Sequence, residues 1–448
     1  MVVIAHVLIF FGSLGTHHKE STNVGVLSED GLFLTNVSPS DVGAADFTHA
    51  QFHAEPHAWL DERYANGIRR WDAGGEIIAL DSQREFALIR NRDIQHGTMR
   101  LVNLVTLKDV YTVPDDLQCQ PSATYGDFIA CSYLEYSARS FSVGVFNLRL
   151  KTYIPLFETD PLGGTSSRSG EPSRPASKLN YALTPVALSA DHLYAFNGAT
   201  SVHEGGTDDS TKGTLVALPF DSARSSDVNT WKTVTPTATP TWMAEEEFGY
   251  TPLCRVLNGY LGCKYSKDKQ LVYQTFDLSS GKAGLHVDNV KYNGRWLWDG
   301  LLIAPDDATG SVVYNLAGKQ LDTMSNLNWY SDSEDSGLLY TTNAVLDEED
   351  VLNAVVDSSG NAVAYNGVSG VYLYSQKTRI ENAQLLGISG DASLIASVIY
   401  EGSGESAVTI YSSDLHAIGT EKLRAVQFKH GFIGTPYEGI YLLPVIDK

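Results

Sequence analysis

The stretch "VYQTFDLSSGKAGL", residues 272–285, holds a short apolar run, an acidic residue, a small turn with lysine, and a second run. Two such runs around Ser-Ser-Gly predict two strands joined by a tight turn. The pattern recurs. It appears as "RLVNLVTLKDVYTV" (100–113), "VGVFNLRLKTYIPL" (143–156), "SVVYNLAGKQLDT" (311–323), "GVYLYSQKTRIEN" (370–382) and "AVTIYSSDLHAIG" (407–419). "TLVALPFDSARSS" (214–226) is a degenerate copy carrying an insertion. Asn, Asp or Ser follows the first strand in these copies. Each copy is preceded by another hairpin, clearest in 76–91, 354–367 and 385–400.

The repeating unit is therefore four antiparallel strands. Its inner strands are short and apolar and its outer hairpin is more polar. A four-stranded sheet repeated at roughly 40 to 58 residues predicts an all-β fold, a β-propeller whose blades pack face to face. Seven units are countable. The C-terminal "RAVQFKHGFIGTPYEGIYLLPVIDK" (424–448) supplies three more strands, so a fourth must come from elsewhere. "NVGVLSEDGLFLTN" (23–36) is the strand expected to close the ring. That predicts eight blades, with seven as the alternative.

The outer hairpin "FDLSSGK" (276–282) resembles those of the quinoprotein-like and WD40-like propeller superfamilies. "VVDSSGNAVAY" (355–365) resembles the turn of TolB-type propellers. The resemblance covers about residues 75–448. It implies an architecture, and no functional residue is carried over from it.

The four cysteines fall in two hairpins. In "CRVLNGYLGC" (254–263), Asn258-Gly259 is a strong two-residue hairpin signal, since both residues tolerate the positive φ of a type I′ turn. That loop pairs Leu257 with Tyr260, Val256 with Leu261, Arg255 with Gly262, and Cys254 with Cys263. The cysteines then sit on a non-hydrogen-bonded pair, about 4.5 Å apart at Cα, within the span of a disulfide. In "CQPSATYGDFIAC" (119–131) the two cysteines are symmetric about Tyr125. A three-residue loop, Thr124-Tyr125-Gly126, would put glycine at the left-handed position and bring Cys119 opposite Cys131. Disulfides persist outside the cytosol.

The rest of the chain fits an exported protein. Of its 448 residues 43% are hydrophobic and 19% charged, as in ordinary globular chains. The net charge of −21 argues against nucleic acid and anionic membranes as partners. Val2 to Leu14 is apolar, of secretory h-region length, with Ser13-Leu14-Gly15 offering a cleavage site. Residues 1–20 are thus expected to be a signal peptide or the remnant of a membrane anchor, the one route to a membrane. Residues 21–448 are read as a single propeller domain. Within it, 37–72 are expected to be helical, with "HAWLDERYANG" ending at Gly67. Residues 159–180 and 198–213 are expected to be long surface loops.

Candidate chemistry is sparse. His49, His53 and His57, with Glu55, form a metal-like cluster, and His49 and His53 have the i, i+4 spacing of metal-binding helices. Pro56 interrupts a continuous helix through them. Calcium is the one cofactor the acidic runs admit, at 332–335 above all, although Asn343 stands where a calcium loop needs a carboxylate. "SSDVNTW" (225–231) approximates a sialidase Asp-box one residue short. Two functions stay open. One is a non-catalytic extracytoplasmic propeller binding a protein or carbohydrate on one face. The other is a propeller enzyme, a glycoside hydrolase, lyase or sialidase-like hydrolase. Paired carboxylates or an arginine cluster in a deep pocket would favour the enzyme. An exposed aromatic face would favour the binding module.

Overall fold

The computed structural model describes residues 26–27, 33–36, 59–92, 98–135, 140–159, 183–198, 212–220, 245–247, 252–267, 270–290, 294–297, 300–303, 311–324, 351–356, 362–367, 370–373, 378–401, 404–435 and 438–446. Nearly all of the regular structure is β. Six sheets are simple antiparallel meanders of four consecutive strands. In chain order the first runs Gly75–Leu80, Phe86–Asn91, Met99–Asn103 and Lys108–Thr112. The second is Leu117–Tyr125, Phe128–Glu135, Ser140–Asn147 and Thr152–Thr159. The third spans 183–247, the fourth 253–290 and the fifth 294–324. The seventh is Ala383–Ile388, Leu394–Tyr400, Glu405–Ser412 and Ala417–Arg424.

The other two sheets recruit N-terminal chain. The eighth is Gln427–Lys429, Phe432–Thr435 and Ile440–Pro444, joined by Ile68–Asp72. The sixth is Val351–Val356, Ala362–Gly367, Gly370–Leu373 and Thr378–Glu381, with Phe33–Asn36 and then Val26–Leu27 added at its outer edge. This corrects the sequence reading. The C-terminal strands take their partner from 68–72 and not from 23–36. The register runs from Ile68 opposite Pro444 to Asp72 opposite Ile440. An outer strand needs only one well-buried side chain, here Trp71, so "IRRWD" shows no apolar alternation. The helical expectation for 37–72 is also corrected within the described residues. They hold a 3-10 turn, Glu62–Asn66, ending at Gly67 (φ 115°), followed by the strand.

Successive sheets share apolar cores. The first and second are joined through Ile78, Leu101, Leu117 and Phe146. The second and third share another core, as do the third and fourth, the fourth and fifth, and the sixth and seventh. The largest cluster joins the seventh, eighth and first sheets through Val398, Phe432, Tyr441 and Ile77, with Leu60, Tyr64 and Trp71 from the N-terminal segment. The described residues therefore define a shared core for every neighbouring pair except the fifth and sixth.

The repeat signature has a local cause. The last residue of the third strand accepts backbone N–H groups of the turn that follows. Asn103 Oδ1 accepts from Val105 and Thr106, Asn147 Oδ1 from Leu150, Asp277 Oδ1 from Ser279 and Ser280, and Asn315 Oδ1 from Lys319. Short carboxamides and carboxylates favour such turns for this reason.

Both disulfides are present, with Cα separations of 4.0 Å for Cys119–Cys131 and 4.1 Å for Cys254–Cys263. The register around Asn258-Gly259 is the one expected. The turn type is not. Of the two turn residues only Gly259 has positive φ (78°), the sign pattern of a type II turn, which needs it at the second central position alone. In the other hairpin Tyr125 pairs with Phe128, so the loop is two residues, Gly126-Asp127. A register shift between Cys119 and Thr124 restores the cysteine pairing. Pro121, which has no N–H to donate, lies in that irregular stretch.

Candidate interaction surface

In an antiparallel meander, the connections after the first and third strands leave one edge of the sheet. Hydrogen bonds between these turns set the turn edges of several sheets side by side. Ser82, in a turn of the first sheet, donates through N and Oγ to Asp127 Oδ1 in the second, at 2.9 and 2.7 Å. Leu60 N donates to Ile388 O of the seventh and Asp61 N to Gly431 O of the eighth. The 3-10 turn thus lies across the turn edges of the seventh and eighth sheets.

A charged network is built on this surface. Asp61 is 5% exposed and caps the 3-10 turn. Its Oδ1 accepts from Arg63 N and Nε at 3.0 and 2.9 Å; its Oδ2 accepts from Arg63 Nη2 at 2.7 Å and Arg84 Nη1 at 3.2 Å. The Arg84 guanidinium also lies 5.8 Å over the Phe432 ring. Next to it, Asp81 Oδ1 accepts the backbone N–H of Glu85 and Phe86, at 2.7 and 2.6 Å. Arg149, from the second sheet, donates to Asp81 Oδ2 at 2.6 Å and Glu85 Oε2 at 3.1 Å. Its guanidinium lies 5.8 Å over Phe86, with Lys151 at 5.9 Å.

Burial alone would raise the Asp61 carboxyl. The Arg63 hydrogen bond and the charges of Arg63 and Arg84 outweigh that and hold it below its ordinary value. A carboxylate held ionised between two guanidinium groups has no proton to give at neutral pH and its lone pairs are engaged. The network therefore suits positioning, not general acid–base catalysis.

Replacing Asp61 tests this. Asp61→Ala leaves two guanidinium groups and the cap N–H without their acceptor. The expected loss is about 2–3 kcal/mol, below the range for fully buried pairs because both arginines reach solvent. The pH dependence has a definite sign. The folded value lies below 3.8, so the carboxylate's contribution is complete above that pH and fades as pH falls through the folded value. The melting-temperature gap between wild type and Asp61→Asn should be wider at pH 7 than at pH 3. Equal gaps at both would contradict the ion-pair role.

Beside the network the same edge carries exposed apolar groups. Tyr125 is 43% and Leu150 39% exposed. They flank the two turns of the second sheet, which are linked by Leu148 N donating to Asp127 O at 2.9 Å. Arg149 and Lys151 sit on either side of Leu150. Sequence reasoning missed this surface because its members come from four turns and lack a motif. The usable signal was an apolar residue inside a polar turn, Leu150.

His49, His53, Glu55 and His57 lie outside the described residues, as do 225–231, 332–335 and 347–350. Glu245–Glu247 forms the outer strand of the third sheet. Among the described residues no group of three or more His, Cys, Asp or Glu could hold a metal ion. No helix among them is long and apolar enough to cross a membrane.

No protein-family model matches the chain, and no curated protein matches it. Among solved structures it is similar to Hsv2p of Kluyveromyces lactis, at 10% identity and a TM-score of 0.34, over 77% of this chain and 96% of that one. It is also similar to Kuenenia stuttgartiensis hydrazine synthase, at 11% identity and a TM-score of 0.31, over 83% and 96%.

Proposed function

We propose that the eight sheets are the blades of a closed β-propeller, zipped by Ile68–Asp72, that works outside the cytoplasm as a non-catalytic module binding a protein or glycan. The shared cores from sheet to sheet and the pairing of chain start with chain end support the ring. The two disulfides support an oxidising compartment. The observation that carries the binding role is the pair Tyr125 and Leu150, exposed beside a guanidinium already held in place. Tyrosine and arginine dominate interface hot spots, and a pre-positioned side chain has less entropy to lose on binding.

The test is to probe arrays of glycans and extracellular proteins with the wild-type chain and with Tyr125→Ala/Leu150→Ala. At least one ligand should bind wild type and weaken by more than tenfold in the double variant, with the melting temperature unchanged. Ligands held equally by both would move the site elsewhere. Turnover of polysaccharides or chromogenic glycosides by the purified chain would replace this reading with the enzyme.

A further inference from the structure

The sixth sheet differs from the others at its outer edge. Phe33–Asn36 pairs there with Thr378–Glu381, with Leu34 opposite Ile380, Thr35 opposite Arg379 and Asn36 opposite Thr378. Val26–Leu27 adds behind it. Among the described residues no other sheet carries strands beyond its fourth. The seventh instead presents a charged edge, where Lys422 pairs with Glu401 and Arg424 with Glu405. Both are ways of keeping an open row of N–H and C=O groups from pairing with another chain.

This cover is lightly held. It makes three residue pairs with the sheet, whereas the strand at 68–72 makes five and buries Trp71. It is tethered through residues 37–58. At about 3.4 Å per residue that segment reaches up to roughly 75 Å. A 448-residue domain has a radius of gyration of about 22 Å. The strand can therefore reach a neighbouring molecule, where it would find an identical edge. We propose that Thr378–Glu381 is a strand-docking site for a second copy of this chain, whose residues 33–36 exchange with the resident strand. Exchange of an identical element creates no new interface chemistry, so it needs only concentration to compete with the tether. A linker of this length sets an effective concentration of the order of 1 mM.

The experiment uses the full-length chain. In Leu34→Pro/Thr35→Pro/Asn36→Pro none of the three paired residues of the resident strand has an N–H to donate to the edge. Amide exchange at 378–381 should be at least tenfold faster in this variant than in wild type. A labelled peptide of residues 23–38 should bind the variant saturably, with Kd below about 0.1 mM, and at least tenfold more weakly to wild type. Wild type should show a reversible dimer in small-angle scattering as its concentration approaches about 1 mM, and the proline variant should stay monomeric. Absence of saturable peptide binding would overturn the docking site. Peptide binding with a wild-type chain monomeric throughout would overturn the second copy as its occupant.

Discussion

A chain beginning at Ala73 should lose its cooperative thermal transition, while one beginning at Trp59 should keep it. The difference between them is residues 59–72, which hold Leu60, Tyr64 and Trp71, at 1%, 0% and 8% exposure. Three such side chains contribute about 5–9 kcal/mol when fully buried. The strand's five residue pairs with Ile440–Pro444 are lost as well. Net stability of a domain is about 5–15 kcal/mol, so removing this segment consumes most or all of it. The damage also falls on one core, because all three side chains belong to the cluster joining the seventh, eighth and first sheets. Tyr64 has a further role at that junction, since its hydroxyl donates to Leu442 O and accepts from Ile433 N. Calorimetry of the two truncations is the measurement. A sharp transition in the Ala73 chain, at the temperature of the longer one, would show that the eighth sheet does not depend on the N-terminal strand.

Why the sequence pointed to the wrong closing strand follows from what each strand must bury. Residues 23–36 carry two short apolar runs, Val26-Leu27 and Leu32-Phe33-Leu34, around Glu29-Asp30-Gly31, which reads as two strands joined by a turn. They do form strands, but on the sixth sheet. The partner of the eighth sheet presents a single large apolar side chain between Arg70 and Asp72, and one tryptophan is no period. The repeating units were legible for the opposite reason. Asn103, Asn147, Asp277 and Asn315 must each hold a turn through their own side chains, so the constraint leaves a visible residue at a fixed place. The interaction surface had no such trace. Asp61, Arg84 and Arg149 are separated by long stretches of chain and come together only because three sheets and the 3-10 turn put their turns side by side. Charge pairs across sheets leave no spacing rule.

Removing both disulfides by Cys→Ala should lower the melting temperature by about 5 °C, and each pair should account for roughly half. The bridges close short loops, of sequence separation 12 and 9. On the chain-entropy account such loops contribute about 2.5–3 kcal/mol each. Additivity follows from where they sit. Cys119 and Cys131 belong to the core between the first and second sheets, Cys254 and Cys263 to that between the third and fourth, and the two clusters share no residue. Sites without common partners add to within a few tenths of a kcal/mol. An unfolding entropy of about 2.1 cal/mol/K per residue over 448 residues makes 1 kcal/mol worth about 1 °C. Alanine suits the test because the four positions are buried among apolar side chains and a serine hydroxyl there would add its own desolvation cost. Thiol labelling of the native protein under denaturing, non-reducing conditions completes it. Four labelled cysteines, or a quadruple variant that melts with wild type, would remove the bridges as a source of stability and with them the main argument for an oxidising compartment.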